Sequence, residues 1–207
     1  MLTSVLSRPW VQRSLLIACF VAVAAHGYAI TYLREFHYRD FDVHREVGRR
    51  FLAGEYLYTY GFCHPYMPSA ALFFAPLALF DRGIGLALRY TTAVACLCLT
   101  LFLLYRIVRA WSEVTPPEGL WISAVTLLLA FQFILQDLDD GGPHLILLAI
   151  LTAGVYSVWQ GREKLGALWF GLATALKVAP ALFLPFFLWK RQWRLAGYTA
   201  IASACFS

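Results

Sequence analysis

Long apolar runs, interrupted by short polar segments, are the main pattern along the chain. Several of these runs approach the length of about 20 residues that an α-helix needs to cross the hydrocarbon core of a bilayer. The pattern predicts helices over 14–33, 84–106, 119–136, 144–160, 165–176, 179–189 and 195–207. The predicted fold class is therefore all-α, a polytopic transmembrane helical bundle.

Two parts of the pattern fall short of a membrane crossing. Lys177 and Pro180 interrupt the apolar run between 165 and 189, so we predict two short helices there rather than one straight span. The run 195–207 would be only about 20 Å long, against about 30 Å for the hydrocarbon core. We therefore expect residues 1–207 to be the N-terminal portion of a single multispanning membrane domain.

Residues 34–82 form the longest polar interruption of the pattern. Within it, Val43, Val47 and Phe51 recur at the spacing of one helix face. Gly54 follows them at a position where glycine commonly ends a helix. This segment predicts a short amphipathic helix lying at the membrane surface.

The topology depends on whether residues 66–80 cross the membrane. The stretch is apolar but short and contains two prolines, so we predict an interfacial or re-entrant element. The basic segments around Arg106 and Arg162 then lie on the cytoplasmic side with the N-terminus, as the positive-inside rule expects. The segments around Asp40 and Asp137 share the extracytoplasmic face. If 66–80 crossed instead, Arg106 would lie outside and Asp137 inside; the first arrangement is favoured.

The first apolar run, 14–33, has a second interpretation. A cleaved signal peptide would also begin with such a run and end it in small residues. Because the apolar run continues past Ala25, we favour a retained helix that keeps the N-terminus in the cytoplasm.

Composition supports a membrane protein and excludes two other classes. Apolar residues make up 60% of the chain and charged residues 14%, which rules out both a soluble globular domain and a disordered chain. The formal net charge of +5 comes from basic residues clustered between the apolar runs. That distribution indicates contact with membrane lipids and not with nucleic acid.

A first candidate site follows the first predicted helix. It contains Arg39, Asp40, Asp42 and His44. A carboxylate at the boundary between water and lipid, beside an arginine and a histidine, could serve as a general base. The alternative is that Asp40 or Asp42 caps the amphipathic helix by accepting its free backbone N–H groups, and the two roles are compatible.

A second candidate site is an acidic turn that contains Asp137, Asp139, Asp140 and His144 around two glycines. Such a turn could bind a metal ion or the hydroxyl groups of a sugar. A solvated turn between two helices is the alternative reading. Because no second cluster of metal ligands occurs in the sequence, we predict no metal site.

The third candidate is Lys177, which lies among apolar residues. A lysine at the centre of a membrane helix costs about 2.5–3.5 kcal/mol, so a partner for its ammonium group is expected. The break at Pro180 would place Lys177 at a helix end, where it could bind an anion such as a lipid phosphate. Snorkelling of the side chain to the interface is the alternative, and Arg89 is interpreted in the same way.

A series of short motifs runs through nearly the whole chain. In order they are Asp40-Phe41-Asp42-Val43-His44, Leu52-Ala53-Gly54-Glu55-Tyr56-Leu57-Tyr58, Pro65-Tyr66-Met67-Pro68, Ala75-Pro76-Leu77-Ala78, the turn 136–144, Gly166-Ala167, Ala175-Leu176-Lys177-Val178-Ala179-Pro180 and Trp189-Lys190-Arg191-Gln192-Trp193-Arg194. In this order and spacing the chain resembles the polyprenol-phosphate-mannose-dependent mannosyltransferases of glycosyltransferase family 87, which are multispanning enzymes of the GT-C superfamily.

The resemblance implies a fold and a reaction. The fold would be a GT-C helical bundle whose first extracytoplasmic loop, 34–82, carries the interfacial helix. The enzyme would lie in the plasma membrane and move a hexose, expected to be mannose, from a polyprenyl-phosphate sugar donor to a lipid or glycan acceptor hydroxyl, with inversion. The catalytic base of the family falls on Asp40.

The resemblance also implies how the remaining candidates contribute. The substrate-binding residues would be Arg39, Asp42, His44, Asp137, Asp139, Asp140, His144 and Lys177. No cofactor is expected, since cationic side chains can stabilise a lipid phosphate as it leaves. The chain departs from the family in the acidic turn, where Gly-Gln-x-Asn is usual and Gly141-Gly142-Pro143-His144 stands here. His144 could replace one hydrogen-bonding group of that motif.

A transporter or lipid-translocating subunit is the alternative function. The broken segment at Lys177 and Pro180 could line a substrate path, as discontinuous helices do in transporters. Such a path would place ionisable residues near the middle of the membrane. The acidic residues of this chain lie mostly at one face of the predicted bundle, which favours the enzyme.

Overall fold

The computed structural model describes residues 40–58, 66–111 and 116–206, together with the isolated positions 14, 21, 22, 25, 26 and 29. These residues are helical or lie in turns and bends, and no strand occurs among them, in agreement with the predicted all-α class. The helices are α1 (Asp40–Leu52), α2 (Ala70–Ala78), α3 (Arg82–Trp111), α4 (Pro116–Asp140), α5 (His144–Trp159), α6 (Glu163–Leu176), α7 (Phe183–Trp189) and α8 (Trp193–Phe206). The helix predicted over 14–33 lies outside the described residues, apart from those isolated positions.

Helix α1 is amphipathic, and one face of it is buried against the rest of the protein. Phe41, His44 and Val47 follow one another at intervals of three residues and are buried. Val47 also belongs to the predicted apolar stripe, whereas Phe51, from the same stripe, is 41% exposed. Two acidic residues of α1 lie in its first turn and two basic ones in its last, which complements the helix dipole.

Gly54 ends helix α1, as the sequence predicts. Its φ of +68° lies in the left-handed region. Its N–H donates to the Phe51 carbonyl at 3.1 Å, and the Glu55 N–H donates to the Arg50 carbonyl at 2.8 Å. These two bonds form a Schellman motif, which satisfies the last carbonyl groups of the helix.

Helices α2 and α3 differ in length and therefore in what they can span. Helix α2 has nine residues and contains Pro76, so it extends for only about 14 Å. Helix α3 has 30 residues, and in the part of the chain described it is the one helix long and apolar enough to cross a membrane. The buried residues of α3, which include Arg89 and Tyr90, face the other helices, while much of its surface is left uncovered.

Helices α5 to α8 are shorter and pack closely on one another and on α3. Helix α6 packs on α5 and on α8, and α3 packs on α5. Gly171 allows the close approach of α8, since a Cβ atom at this position would lie 2.5 Å from Cβ of Ala202. Helix α7 contributes Phe183 and Phe187 to an aromatic cluster around Phe170 of α6.

Helix α6 ends where the sequence places the break. Lys177 has an extended backbone, with φ −151° and ψ 137°. Pro180 carries no backbone N–H, so it cannot donate to the Leu176 carbonyl and continue the helix. A 3₁₀ turn over Ala179–Leu182 then leads into α7. The chain therefore turns at Lys177, and this turn positions its side chain for the site described next.

Candidate active site

Lys177 and His144 meet although 33 residues separate them in the sequence. The Nζ atom of Lys177 lies 2.9 Å from Nε2 of His144. His144 is the first residue of α5, and Lys177 directly follows the last residue of α6. The packing of α5 against α6 thus brings a histidine and a lysine to the same end of the two helices.

Asp137 fixes the ring of His144 from the opposite side. Its Oδ1 atom lies 2.8 Å from Nδ1 of His144. Because a carboxylate only accepts, the proton of the neutral ring belongs on Nδ1. The Nε2 atom is then an acceptor, and the Lys177 ammonium donates to it. The three side chains form one directed chain of hydrogen bonds, from lysine through histidine to aspartate.

Asp137 also caps helix α5. The backbone N–H of His144 donates to Oδ1 and that of Leu145 donates to Oδ2, each at 3.1 Å. Pro143, which precedes the helix, offers no capping side chain. Asp137 is 7% exposed, so these bonds satisfy a carboxylate that is nearly out of contact with solvent.

Arg89 supplies the opposite charge for this buried carboxylate. Its Nη2 atom lies 3.7 Å from Oδ2 of Asp137, and the two side chains are 5% and 6% exposed. The sequence interpretation of Arg89 as a snorkelling anchor is wrong, because the side chain is buried inside the protein. A lone charge in the apolar run of α3 needs a partner, and this signal could have predicted an ion pair.

Gly141 brings the start of α1 against the acidic turn. Its φ is +72°, and a Cβ atom here would lie 2.6 Å from Cβ of Phe41 and 3.4 Å from the Phe41 backbone nitrogen. Phe41 is buried with Leu138 and Leu145, which flank the turn. Asp40, the residue before Phe41, therefore lies beside the segment that carries Asp137 and His144.

Asp40 and Asp42 have different environments although they are two residues apart. Asp42 forms a two-pronged ion pair with Arg82, with 2.8 Å from Nε to Oδ1 and 2.7 Å from Nη2 to Oδ2. Asp40 is the exposed first residue of α1. Within the described part of the chain its carboxylate makes no hydrogen bond or ion pair.

Tyr66 lies between the two acidic segments. Burial raises the pKa of Tyr66 to about 12, and the charges of Asp40 and Asp137 shift it in the same direction. The phenol therefore keeps its proton at neutral pH and is a hydrogen-bond donor. The sequence interpretation did not single out Tyr66, because a tyrosine after a proline carries no signal of its neighbours in the fold.

His44 occupies a different environment from the other candidates. Its ring stacks on Phe74 at 4.1 Å between centroids and meets the edge of Tyr66 at 5.2 Å. It is 1% exposed, so neighbouring side chains cover its ring almost completely.

The remaining candidates are placed as follows. Asp139 lies 3.4 Å from Nε2 of His26, and Asp140, the last residue of α4, is partly exposed. Arg39 lies outside the described residues. In the described ranges, no group of three His, Cys, Asp or Glu side chains converges in a way that could hold a metal ion.

Ser69 ties the segment before α2 to the end of α6. Its hydroxyl group donates to the Ala175 carbonyl at 3.2 Å. That carbonyl belongs to the last turn of α6, where backbone acceptors lack partners within the helix. The bond links the segment before α2 to the end of α6 from which Lys177 extends.

Comparison with known proteins gives two matches. Residues 64–207 match the sequence model of Glycosyltransferase family 87. The chain is also 30% identical over 175 residues to a protein of Mycolicibacterium smegmatis named polyprenol-phosphate-mannose-dependent alpha-(1-2)-phosphatidylinositol mannoside mannosyltransferase. The alignment covers 74% of this chain and 39% of that relative, so the chain spans well under half of the relative's length. No solved structure matches the chain at a significant level.

Proposed function

The chain belongs to glycosyltransferase family 87, and from this premise we propose that it works as an integral membrane hexosyltransferase. The donor is a polyprenyl-phosphate sugar, with mannose as the hexose, and the acceptor is a hydroxyl group of a lipid or glycan. The mannosyltransferase name of the M. smegmatis relative supports this choice of donor. Transfer inverts the anomeric carbon, with Asp40 as the base.

The contrast between the carboxylates at the site is the observation that carries the assignment of Asp40. Asp42 is held by Arg82, and Asp137 is buried and holds both the start of α5 and the ring of His144. Asp40 is exposed and lies beside the acidic turn. A general base must reach the proton that it removes, and among these three Asp40 is the one that an acceptor hydroxyl can approach.

Lys177 is suited to the other half of the reaction. Its ammonium donates one hydrogen bond to His144 and keeps two further N–H donors. An oxygen of the leaving lipid phosphate would accept from those donors, and its developing charge would be stabilised there. The carboxylates of Asp139 and Asp140 are proposed to bind sugar hydroxyl groups.

The proposed step balances without a cofactor. The acceptor oxygen attacks the anomeric carbon while its proton passes to the carboxylate of Asp40. The bond between the anomeric carbon and the phosphate oxygen breaks, and the polyprenyl phosphate leaves with the electron pair. Attack and departure occur on opposite faces of the sugar ring, so the configuration inverts.

The proposed topology places this chemistry on the extracytoplasmic side of the plasma membrane. Helix α2 is too short to cross the bilayer alone, which supports the arrangement with a cytoplasmic N-terminus and a multi-pass chain. Tyr56 is 72% exposed in the loop after α1, so it is a site for labelling. A Tyr56→Cys variant of the full-length protein, with the native cysteines replaced, should react with an impermeant maleimide from outside intact cells.

Sugar transfer by the full-length protein tests the proposal. Membranes containing it should transfer radiolabelled mannose from polyprenyl-phosphate mannose to an endogenous lipid or glycan, and membranes without it should not. The linkage formed should have the anomeric configuration opposite to that of the donor. Movement of the lipid-linked sugar across liposomes, with no transfer to an acceptor, would contradict the enzyme and support the transporter.

A further inference from the structure

We propose that His144 is a positioning residue, which with Asp137 holds the ammonium of Lys177 at the place where the lipid phosphate leaves. This inference rests on the proposed function and adds a specific device to it. Two contacts support it. Nζ of Lys177 lies 2.9 Å from Nε2 of His144, and Nδ1 of His144 lies 2.8 Å from Oδ1 of Asp137.

The exposure of His144 separates this role from that of a core residue. Its side chain is 54% exposed, whereas that of Asp137 is 6% exposed. The backbone N–H groups of His144 and Leu145 already bind Asp137, so helix α5 has its cap without the imidazole. The ring therefore adds little to the packing, yet both of its nitrogen atoms are engaged.

Lys177 needs such a partner because its own side chain is long and flexible. Holding a lysine in one geometry costs side-chain rotamer entropy. An acceptor on a rigid helix end offsets part of that loss and directs the remaining N–H donors to one place. His144 is suited to this task, since it begins α5 and Asp137 fixes its ring.

The hydrogen-bond chain works only while His144 is neutral. Protonation of Nε2 would replace an acceptor with a donor and place an imidazolium against the ammonium of Lys177. The charged groups on the surrounding elements include Asp137, Asp139 and Asp140 of α4, Arg89 of α3, Asp40 at the start of α1, and Lys177 itself. Acidification that protonates the ring would therefore release Lys177 and weaken its hold on phosphate.

Gly142 leaves room for the bond between Asp137 and His144. A Cβ atom there would lie 2.8 Å from Oδ1 of Asp137 and 2.9 Å from Nδ1 of His144. Any other residue at this position would press on the bond between the two side chains. The glycine thus allows Asp137 to hold the ring of His144.

The experiment measures the affinity of the purified full-length protein for polyprenyl phosphate, together with the KM for polyprenyl-phosphate mannose. His144→Ala removes the acceptor for Lys177. It should lower the affinity and raise the KM, each by about 10-fold to 100-fold, which is the contribution of one hydrogen bond to a charged group. His144→Gln keeps an acceptor that does not titrate. At neutral pH its affinity and its KM should therefore remain within about threefold of the wild-type values.

The pH dependence of phosphate binding separates a positioning role from a merely structural one. Acidification protonates the phosphate monoester itself, so the affinity should fall somewhat in every variant. The fall should be steeper in the wild type than in His144→Gln. A His144→Gln variant as weak as His144→Ala, or one whose affinity falls as steeply as that of the wild type, would overturn the inference. The comparison of the wild type with His144→Gln remains informative even if His144→Ala does not accumulate.

Two further variants distinguish the failure of this inference from failure of the proposed function. Lys177→Ala should lose phosphate affinity, whereas Lys164→Ala, at the opposite end of the same helix, should not. If Lys177→Ala binds normally, the inference is wrong. If binding of polyprenyl phosphate depends on Lys177 and His144 but the protein transfers no sugar, the proposed function is wrong and the inference remains.

Discussion

The start of α1 and the end of α4 each present a carboxylate to the same site, but the two are held in opposite ways. Asp40 is exposed and has no hydrogen-bonding or charged partner within the described part of the chain. Asp137 is buried, accepts from two backbone N–H groups and from His144, and faces Arg89. Proximity alone therefore does not assign a role to an acidic side chain.

The number of bonds already made separates the two roles. A buried carboxylate whose two oxygens both accept hydrogen bonds stabilises the fold and orients its neighbours, and a substrate hydroxyl group cannot reach it. A carboxylate at a helix start without partners adds little to the fold and is available for chemistry. Replacing Asp137 should therefore affect stability first, whereas replacing Asp40 should affect transfer first.

The largest effect on stability is expected for Asp137→Ala. The change leaves the buried guanidinium of Arg89 without its carboxylate and removes the cap of α5. Loss of one partner from a buried ion pair costs about 3–5 kcal/mol. Thermal unfolding of the purified protein in detergent measures this loss of stability. An unfolding temperature equal to that of the wild type would show that Asp137, like Asp40, contributes little to the fold.

Gly141→Ala should lower the free energy of unfolding by a smaller amount. This variant tests how closely the start of α1 packs against the acidic turn at the end of α4. The added Cβ atom would press on Phe41, which should lower the free energy of unfolding by about 1–3 kcal/mol. The left-handed backbone conformation at this position should lower it by about 1 kcal/mol more. Gly161→Ala is the matched control, because Gly161 has φ +76° and nothing within 4 Å of the added atom. Equal losses for the two variants would contradict the close contact.

Asp42→Asn should lower the free energy of unfolding by about 1 kcal/mol, because the ion pair between Asp42 and Arg82 is partly exposed. This variant sharpens the contrast within the first turn of α1. A double-mutant cycle with Arg82→Gln, followed by thermal unfolding, should return a coupling energy of that size. A coupling energy near zero would mean that Asp42 is as free as Asp40.

The smallest effect is expected at the far end of α1 and depends on pH. The Arg49 guanidinium lowers the pKa of Glu46 from 4.5 to about 2. The stabilisation by Glu46 is therefore complete above pH 4.5 and is lost as the pH falls through 2. This stabilisation should stay below about 1 kcal/mol, because the side chains of Glu46 and Arg49 are partly exposed to solvent.

Hydrogen exchange in the last turn of α1 measures this effect. Protection should decrease as the pH falls below 4.5 in the wild type, after correction for intrinsic exchange rates. A Glu46→Gln variant should show no such decrease. The same pH dependence in both proteins would contradict the pairing of Glu46 with Arg49.

Much of the helical framework could be predicted from apolar runs, and so could its main interruption. The segments predicted over 84–106, 144–160 and 165–176 correspond closely to α3, α5 and α6. Run length and the proline at position 180 are local signals, which a single sequence carries in full. The break after Leu176 follows from the missing N–H of that proline.

The composition of the site could be predicted only in part. Asp137, His144 and Lys177 each drew attention as polar groups in apolar surroundings, but nothing in their spacing showed that they form one chain of hydrogen bonds. Arg89 and Tyr66 were not among the predicted site residues, because their roles depend on side chains distant in the sequence. The stack of His44 on Phe74 is hidden for the same reason.

Sugar transfer by Asp40→Asn in the full-length protein tests the central claim most directly. The matched control is Asp81→Asn, which changes an exposed acid in the same loop. At equal membrane levels, Asp40→Asn should lower the transfer rate by about 10²–10⁴-fold, the usual contribution of a general base, and Asp81→Asn should leave it unchanged. Transfer by Asp40→Asn at the wild-type rate would contradict the account.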